Sequence, residues 1–394
     1  VASGFDGEGI TIAVLDGFID TSLPIFADAD IETRSFCGYQ PDLPGLDPAG
    51  LAPGELTPAQ VPAGATTMMD LLHHGTSVTA LLVGNGAKIN GVPGPKGVAP
   101  KAKILHYVIV TGGDPRGSGH RNTCFDNGEP LDTPTHEEAV LAAIEAGADI
   151  ITTSLGGVLD GEVPLNDYDV IGVQALPNDN EGINAVFRDP YYPGAVYVRG
   201  HQPDGELPER LHFEEPRTTV VVPGGTGSGG LYAEPGGSWV VKEMGGNSAA
   251  TPILAGIMAD LMVKYPKATK NQLLQSLVRN TLDTSHNPHY DLNWGWGPVE
   301  VDHLFSVDPT VYPDVNPLSG GVGELATTAP SSSPSPTGTS PSPDPKAASE
   351  DGGNNRLWVS VGAALGVSLA VILTAVFTAV FVHTRNKRKA DRIH

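Results

Sequence analysis

One glycine-rich stretch, residues 245–252, constrains the fold of this chain most. It reads Gly-Gly-Asn-Ser-Ala-Ala-Thr-Pro and is followed by small and apolar residues as far as Met262. Two glycines permit backbone angles and close approaches that other residues resist, and a proline is tolerated in the first turn of a helix. The pattern therefore predicts a turn that delivers Ser248 to the first turn of a thin, buried helix. There an attacking alkoxide would be favoured by the helix dipole; the alternative is a structural helix that Ser248 merely caps.

Apolar, β-rich runs alternate with helical patterns through residues 1–315. Such alternation predicts an α/β fold with a mainly parallel sheet covered by helices on both faces. In such a sheet, functional groups gather at the carboxyl ends of the strands, and Asp16 ends the first strand. The predicted strands are 9–16, 104–110, 148–155, 170–175, 195–198 and 218–222, and the predicted helices are 73–83, 139–146, 248–262 and 269–282.

The composition changes after residue 315, and three further segments follow. Residues 316–356 are rich in Ser, Thr, Pro and Gly and predict a disordered linker. Residues 357–382 carry no charge over roughly 26 positions, more than the ~20 that a bilayer requires, and predict one C-terminal transmembrane helix. The basic tail 383–394 is then expected in the cytoplasm and residues 1–315 outside the cell membrane. We also expect that a secretion segment preceded Val1.

Charge and cysteine content exclude some partners and predict one cross-link. The formal net charge of −22 argues against a nucleic-acid partner, which would require a basic face. Cys37 and Cys124 are the two cysteines, and in an exported protein they are expected to form a disulfide; the alternative is two independent thiols. His120 and Cys124 have one short spacing and no second ligand pair, so no metal site is predicted.

Three residues have the chemistry of a nucleophilic triad and stand in the order Asp16, His74, Ser248. Acyl transfer by a serine requires a base that takes the hydroxyl proton and a carboxylate that orients the base. This order is that of subtilisin, whereas α/β-hydrolases run Ser, Asp, His and chymotrypsin-like enzymes run His, Asp, Ser. No Gly-x-Ser-x-Gly turn surrounds Ser248, which disfavours a lipase or esterase.

Five motifs, in the correct order, resemble those of the subtilisin-like serine proteases over residues 4–311. They are Ala13–Asp16 with Ile19, Asp20 and Pro24; His74–Val78; Gly97–Pro100; Ser154–Gly157; and Gly246–Pro252. The resemblance implies a three-layer fold with a mainly parallel sheet between helices. It also implies that Ser248 is the nucleophile, His74 the general base and acid, and Asp16 the orienting carboxylate.

The same resemblance assigns a substrate strand and an oxyanion donor. The strand implied to line the substrate cleft consists of Ser154, Leu155, Gly156 and Gly157. The family's oxyanion asparagine aligns with Asn178; Asn180 is the alternative because Pro177 replaces the usual glycine, and a plain surface turn is a third interpretation. Calcium is frequent in this family, but no acidic loop here has a clear ligand spacing, so no cofactor is predicted beyond that resemblance.

Several residues beside these groups depart from the family pattern. Gly17 and Phe18 follow Asp16 where a hydroxyl residue and a glycine are usual, Asn247 replaces the usual threonine before the serine, and Ala249 stands where methionine is frequent. Because the three triad groups are retained, we expect these departures to affect efficiency and substrate fit.

The arrangement of a protease domain, a proline-rich linker, one membrane span and a basic tail resembles that of the mycosins, the membrane-anchored proteases of actinobacterial type VII secretion. We therefore predict a single-pass serine endopeptidase that cleaves peptide bonds of exported proteins outside the cell through an acyl-enzyme. Its expected partners are protein or peptide substrates, the lipid bilayer and a membrane secretion complex. The alternatives are a weakly active or inactive subtilase-like scaffold in a membrane complex, and a secreted esterase.

Overall fold

A seven-stranded parallel sheet forms the centre of the fold. The computed structural model describes residues 4–36, 66–110, 125–126, 129–130, 135–159, 163–178, 194–234, 238–281, 288–320 and 323–325. The chain divides into two units, residues 1–331 and 332–394, and all the described residues lie in the first.

The described residues form thirteen strands and five α-helices. The strands are β1 (Thr11–Asp16), β2 (Ile31–Ser35), β3 (Lys88–Ile89), β4 (Val92–Pro93), β5 (Lys103–Val108), β6 (Phe125–Asp126), β7 (Glu129–Pro130), β8 (Ile150–Thr153), β9 (Ile171–Ala175), β10 (Ala195–His201), β11 (Val220–Pro223), β12 (Ser228–Glu234) and β13 (Ser238–Met244). The helices are α1 (Thr66–Val83), α2 (Thr135–Glu145), α3 (Asn247–Lys264), α4 (Lys270–Arg279) and α5 (Val301–Ser306).

The strand order of the large sheet places a crevice beside β1. The order is β11-β10-β9-β8-β1-β5-β2, and every neighbouring pair is parallel. From β1 the chain goes first to β2 and β5 on one side and then to β8 on the other, so the topology switches direction between β1 and β8. Ligands of open parallel sheets bind at the carboxyl ends of the strands at such a switch point. Asp16 and Ser154 lie there, at the ends of β1 and β8.

Alternate residues of β1 pack into two different layers, because side chains along a strand alternate between its faces. Ile12 and Val14 belong to the core formed with α1 and α3. Ala13 and Leu15 belong to the core formed with α2. Both faces of the sheet are therefore covered, which confirms the predicted three-layer α/β fold.

Helix α3 passes through the larger core and is thin, as its small residues predict. A Cβ on Gly256 would lie 2.6 Å from the Cβ of Val98, so only glycine permits this approach. Pro252 is the sixth residue of α3, beyond the first turn in which it was expected. The N–H that a proline lacks would otherwise bond to the carbonyl four residues earlier, that of Ser248. The hydroxyl of Ser154 donates to that carbonyl instead, at 2.8 Å.

Several other elements differ from the prediction, among them the short strands β3, β4, β6 and β7 and the helix α5, which were not predicted. Helix α1 begins at Thr66 rather than at His73, because residues before the histidine motif continue the helix. Strand β2 was not predicted, because it is an edge strand whose alternate residues, Glu32 and Arg34, are charged and exposed. The antiparallel hairpin of β12 and β13 was not predicted either, since its glycines and charged residues weaken the strand pattern.

Most of the chain predicted to follow the peptidase domain lies outside the described residues. The transmembrane helix 357–382 and the tail 383–394 lie wholly outside them, and of the linker 316–356 only residues 316–320 and 323–325 are described. None of the helices in the described part of the chain has the length and apolar character needed to cross a bilayer. Packing continues past the expected boundary at residue 315, since Leu318 is buried in the larger core. Cys37, Cys124 and Asn180 also lie outside the described residues.

Candidate active site

Asp16 and His74 meet at the carboxyl edge of the sheet. The carboxylate of Asp16 is completely buried at the end of β1, and its Oδ1 accepts a hydrogen bond from the backbone N–H of Gly17 at 2.7 Å. The same oxygen lies 2.8 Å from Nδ1 of His74, which α1 presents to the sheet. Because a carboxylate only accepts, Nδ1 carries the hydrogen and Nε2 of the neutral imidazole is left with a free lone pair.

Two features of the surroundings of His74 have opposite effects on its pKa. Burial disfavours the imidazolium and by itself would lower the pKa of His74. The negative charge of Asp16 and its hydrogen bond to the ring outweigh burial, so the pKa of His74 is raised above its ordinary value of 6.5. About a quarter of the side chain remains exposed (24%), which leaves the ring open to a substrate.

Ser248 lies in the first turn of α3, with its side chain partly exposed. Its hydroxyl donates to the backbone carbonyl of Ser154 at 3.2 Å, and among the described residues no hydrogen bond joins it to His74. Hydrogen bonds of a catalytic serine are often unformed until substrate binds. The structure therefore brings Ser248 to the same edge as His74 with its hydroxyl turned toward the substrate strand.

The substrate strand predicted at residues 154–157 is tied to the serine by two hydrogen bonds. Ser154 accepts from the hydroxyl of Ser248 and donates its own hydroxyl to the Ser248 carbonyl. Ser154 and Leu155 are buried, whereas Gly156 and Gly157 are partly exposed. Gly157 has a φ of 81°, in the left-handed region that favours glycine. The segment thus lies directly beside Ser248.

Asn178, the predicted oxyanion donor, lies beside the turn that carries the serine. Its Oδ1 accepts from the backbone N–H of Asn247 at 2.9 Å. This bond fixes which end of the amide faces the turn and leaves Nδ2, the donor end, for another acceptor. A Cβ on Gly246 would lie 2.6 Å from Oδ1 of Asn178, and Gly246 has a φ of 112°, so this position requires glycine for two independent reasons.

Asn247, which departs from the family pattern, connects three parts of the site. Its buried side chain donates through Nδ2 to the carbonyls of Leu176 and Pro177, at 2.8 and 2.9 Å, and accepts through Oδ1 from the N–H of Gly200 at 3.0 Å. A threonine hydroxyl has one hydrogen to donate and could not bond to both carbonyls. The departure therefore anchors the loop of Asn178 to the serine turn, an effect that the sequence motif alone did not indicate.

Two buried polar residues at this edge were not predicted from the sequence. The ring of His106 on β5 lies 2.8 Å through Nε2 from the carbonyl of Gly17 and 3.1 Å through Nδ1 from the hydroxyl of Thr79. A histidine within the apolar run 104–110 was the signal that could have drawn attention to it.

Within the part of the chain that the structure describes, no three His, Cys, Asp or Glu side chains cluster as metal ligands.

A buried acid–imidazole pair lies at the carboxyl edge of a parallel sheet, next to a serine at the start of a central helix. These are the groups that a serine nucleophile requires, with the acid first in the chain. Comparison with known proteins gives the family. Residues 7–297 match the subtilase family, and the chain belongs to it.

Individual relatives are distant. Fervidolysin from Fervidobacterium pennivorans is 26% identical over 321 residues, which cover 75% of this chain and 40% of fervidolysin, so the chain matches less than half of that protein's length. The protease domain of PatA superposes with a TM-score of 0.52 at 22% identity, covering 78% of this chain and 97% of that one. The PatG macrocyclase, solved with a peptide, gives a TM-score of 0.53 at 20% identity, covering 77% and 92%. These two structures support the fold.

Proposed function

We propose that Ser248, His74 and Asp16 act together as the catalytic triad of this peptidase. The observation that carries the proposal is the 2.8 Å contact between His74 Nδ1 and the buried carboxylate of Asp16, beside a serine in the first turn of a buried helix. For reaction, Ser248 Oγ turns from the Ser154 carbonyl toward His74 Nε2, a change of one side-chain rotamer. Nε2 then takes the hydroxyl proton while Oγ attacks the scissile carbonyl carbon.

Two donors are placed to receive the oxyanion that this attack creates. One is Nδ2 of Asn178, whose orientation is set by the bond from the Asn247 N–H to Oδ1. The other is the backbone N–H of Ser248, which belongs to the first turn of α3, where N–H groups have no intrahelical acceptor. Donors that are held in position before reaction need no reorganisation when the charge develops.

The remaining steps return the proton and the serine to their starting state. His74 gives its proton to the leaving amine nitrogen as the C–N bond breaks, which leaves an acyl-enzyme on Ser248. A water molecule then attacks the acyl carbon while His74 removes its proton. As the C–O bond to Ser248 breaks, His74 gives that proton to Oγ, so the carboxylic acid product leaves and the Ser248 hydroxyl is restored. Asp16 stays ionised throughout and stabilises the imidazolium.

Labelling with a fluorophosphonate probe tests for an activated serine. The full chain is compared with Ser248→Ala, His74→Ala and, as a matched control, Ser306→Ala, which removes a hydroxyl that donates to the carbonyl of His303 on α5. We expect labelling of the wild type and the control and none of the other two. Digestion of a peptide mixture, followed by mass spectrometry, then identifies the bonds cleaved. Labelling that persists in Ser248→Ala would overturn the assignment.

The substrates and the location belong to the same proposal. Exported proteins and peptides are proposed as substrates, because the cleft strand 154–157 lies beside the serine and a structural relative was solved with a peptide bound. The uncharged stretch 357–382 and the basic tail are the grounds for a single-pass anchor with the peptidase outside the cell, in association with a type VII secretion complex. Carbonate extraction of membranes, compared with a variant lacking 357–382, tests the anchor: wild-type chain that leaves the membrane in carbonate would refute it.

A scaffold of low activity is the second candidate function. The observation in its favour is that the Ser248 hydroxyl bonds to Ser154 rather than to His74. Purification from gentle detergent shows whether the chain travels in a complex, and the probe decides whether the serine reacts. A chain that binds partners but is never labelled would be a scaffold. Hydrolysis of simple esters without any peptide cleavage would instead indicate an esterase.

A further inference from the structure

His106 is a completely buried histidine on β5, and both of its ring nitrogens have partners. Its residue pairs with Val14 on the neighbouring strand β1, two residues before Asp16. The carbonyl of Gly17 only accepts, so Nε2 of His106 must carry the hydrogen of that 2.8 Å bond. Nδ1 is then an acceptor, and the hydroxyl of Thr79 donates to it over 3.1 Å.

These bonds and burial together favour one neutral form of the ring. In a protonated imidazole the second bond would reverse, with Nδ1–H donating to the Thr79 hydroxyl, which can also accept. Burial disfavours that charged form and lowers the pKa of His106, although the bond to Gly17 and the charge of Asp16 partly oppose it. The ring is therefore held as the neutral Nε2–H tautomer.

The hydrogen bonds of His106 connect the loop after Asp16 with the helix that carries His74. Gly17, whose carbonyl receives the His106 N–H, donates its own N–H to Oδ1 of Asp16, and that oxygen is bonded to His74. At the other end, Thr79 lies on α1, the helix that also carries His74. The loop after Asp16 is thus tied to the sheet by His106 and, through Thr79, to the helix of the catalytic base.

A close approach in the backbone supports the same connection. A Cβ on Gly75 would lie 2.3 Å from the carbonyl oxygen of Phe18 and 2.9 Å from that of Gly17. The loop that follows Asp16 therefore rests directly on α1 at the residue after His74. Small displacements of this loop would change the distance between the carboxylate and the imidazole.

We propose that His106, together with Thr79, is a positioning residue that holds the Asp16 carboxylate in hydrogen-bonding geometry toward His74. The proposal rests on the triad proposed above and extends it to a residue that contacts neither substrate nor the reacting atoms. A buried polar pair with a purely structural role would stabilise the fold without affecting the His74–Asp16 contact. The two cases differ in what happens to His74 when the pair is removed.

Four variants of the full chain separate these cases. His106→Leu removes both hydrogen bonds, whereas His106→Gln retains one donor and one acceptor on a side chain of similar reach. Thr79→Val removes only the hydroxyl. Asn280→Leu is the matched control, because Asn280 is also buried and bonds to Ser276 and Tyr312, on α4 and beyond it.

The first readout needs no catalysis. In ¹⁵N-histidine NMR of the full chain, wild-type His106 should show the Nε2–H tautomer, and the titration of His74 should give its raised pKa. In His106→Leu and Thr79→Val the pKa of His74 should fall, while His106→Gln and the control should keep it. Unchanged His74 titration in folded His106→Leu and Thr79→Val would overturn the proposal. If His106→Leu does not fold, Thr79→Val decides.

The second readout is steady-state kinetics on the same samples. A misplaced carboxylate should lower kcat by about tenfold to a hundredfold, with KM little changed, because displacements of about 1 Å in a catalytic site have effects of this size. His106→Gln should restore most of kcat. Equal losses of thermal stability in His106→Leu and in the control, with kcat unchanged, would mean a structural role only. If the wild type is not labelled at Ser248, the triad assignment fails, and the NMR readout still decides the role of His106.

Discussion

His74 is held by a single oxygen of Asp16. Oδ1 of Asp16 accepts from both His74 Nδ1 and the Gly17 N–H, while Oδ2 is buried without a hydrogen-bond partner among the described residues. Burying an ionised carboxylate with one oxygen unpaired is costly. The hydrogen bonds that Oδ1 accepts from His74 and Gly17 therefore carry the stabilisation of this charge. The orientation of His74 therefore depends on one hydrogen bond and on whatever fixes the Asp16 loop.

The first prediction concerns the charge on that carboxylate. Asp16→Asn keeps the shape of the side chain but presents an amide to His74, which favours the wrong tautomer of the ring. We expect kcat to fall by a factor on the order of 10⁴, as loss of the triad carboxylate does elsewhere. Michaelis–Menten kinetics on a cleaved peptide measures this.

Asp20→Asn provides the control for that variant. Asp20 is also a buried carboxylate, but it accepts from the indole N–H of Trp239 and from Ser22 rather than from a histidine. We expect this change to lower stability with little effect on kcat. A similar loss of kcat in both variants would contradict a specific role for Asp16.

The second prediction is the pH dependence of kcat/KM. Only neutral His74 can take the proton of Ser248, so activity should rise as pH rises through the pKa of His74. Because Asp16 raises that pKa, the midpoint of the acid limb should lie above 6.5. In Asp16→Asn the raising charge is lost, and the midpoint should move to lower pH. A pH profile of kcat/KM for both proteins checks the sign, and a limb that does not move would contradict the coupling.

The third prediction tests the oxyanion donor. Asn178→Ala should lower kcat by about 10²–10³ and leave KM nearly unchanged, because the donor acts on a charge that exists only in the transition state. Asn178→Asp, which is nearly isosteric, should be at least as impaired, since a carboxylate would face the developing negative charge. Full activity in Asn178→Ala would mean that another residue donates to the oxyanion, and Asn180 would be the first candidate.

The fourth prediction concerns the anchoring by Asn247. Asn247→Ala leaves the carbonyls of Leu176 and Pro177 and the N–H of Gly200 without this partner. Each buried group left unpaired costs about 1–3 kcal/mol, so urea unfolding should show a clear loss of stability. We also expect kcat to fall, because the loop of Asn178 loses its connection to the serine turn.

A double-mutant cycle separates the two effects of Asn247→Ala. If Asn247 acts on catalysis through Asn178, its replacement should change kcat much less in an Asn178→Ala background than in the wild type. Asn280→Ala, at a buried asparagine of α4's C-terminal end, controls for stability alone. Additive losses of kcat in the cycle would mean that the two residues act independently.

The groups that sequence reasoning found are those that lie within short local motifs. Asp16, His74 and Ser248 could be predicted because each stands in a few residues whose types and order are characteristic, and the alternation of strands and helices predicted the sheet that brings Asp16 and His74 into contact. Asn178 was predicted by family resemblance from its place after the strand 170–175, and the structure places it beside the serine turn, while its role stays a prediction. The direction of the Ser248 hydroxyl could not be predicted, because it depends on the carbonyl of Ser154, 94 residues away.

The residues that were missed have partners distant in the chain. His106 bonds to Thr79 and to Gly17, which are 27 and 89 residues away, so its place in the apolar run 104–110 marks it as unusual without indicating its partners. Pro252 lies beyond the first turn, in which it was expected, because the start of α3 is set by the turn at Gly246, whose φ only the structure gives. The pairing of Cys37 with Cys124 and the membrane span stay predictions from composition.

The bond between His106 and Thr79 also has a consequence for how this chain's sequence can diverge. Replacing His106 alone by an apolar residue leaves a buried hydroxyl without its acceptor, and replacing Thr79 alone leaves a buried ring nitrogen without its donor. Replacing both together by apolar side chains of matching volume removes these two polar groups at once and leaves only the Gly17 carbonyl without its donor. In an alignment of close homologues of this chain, positions 79 and 106 should therefore change as a pair. Homologues that carry only one of the two polar residues should be rare.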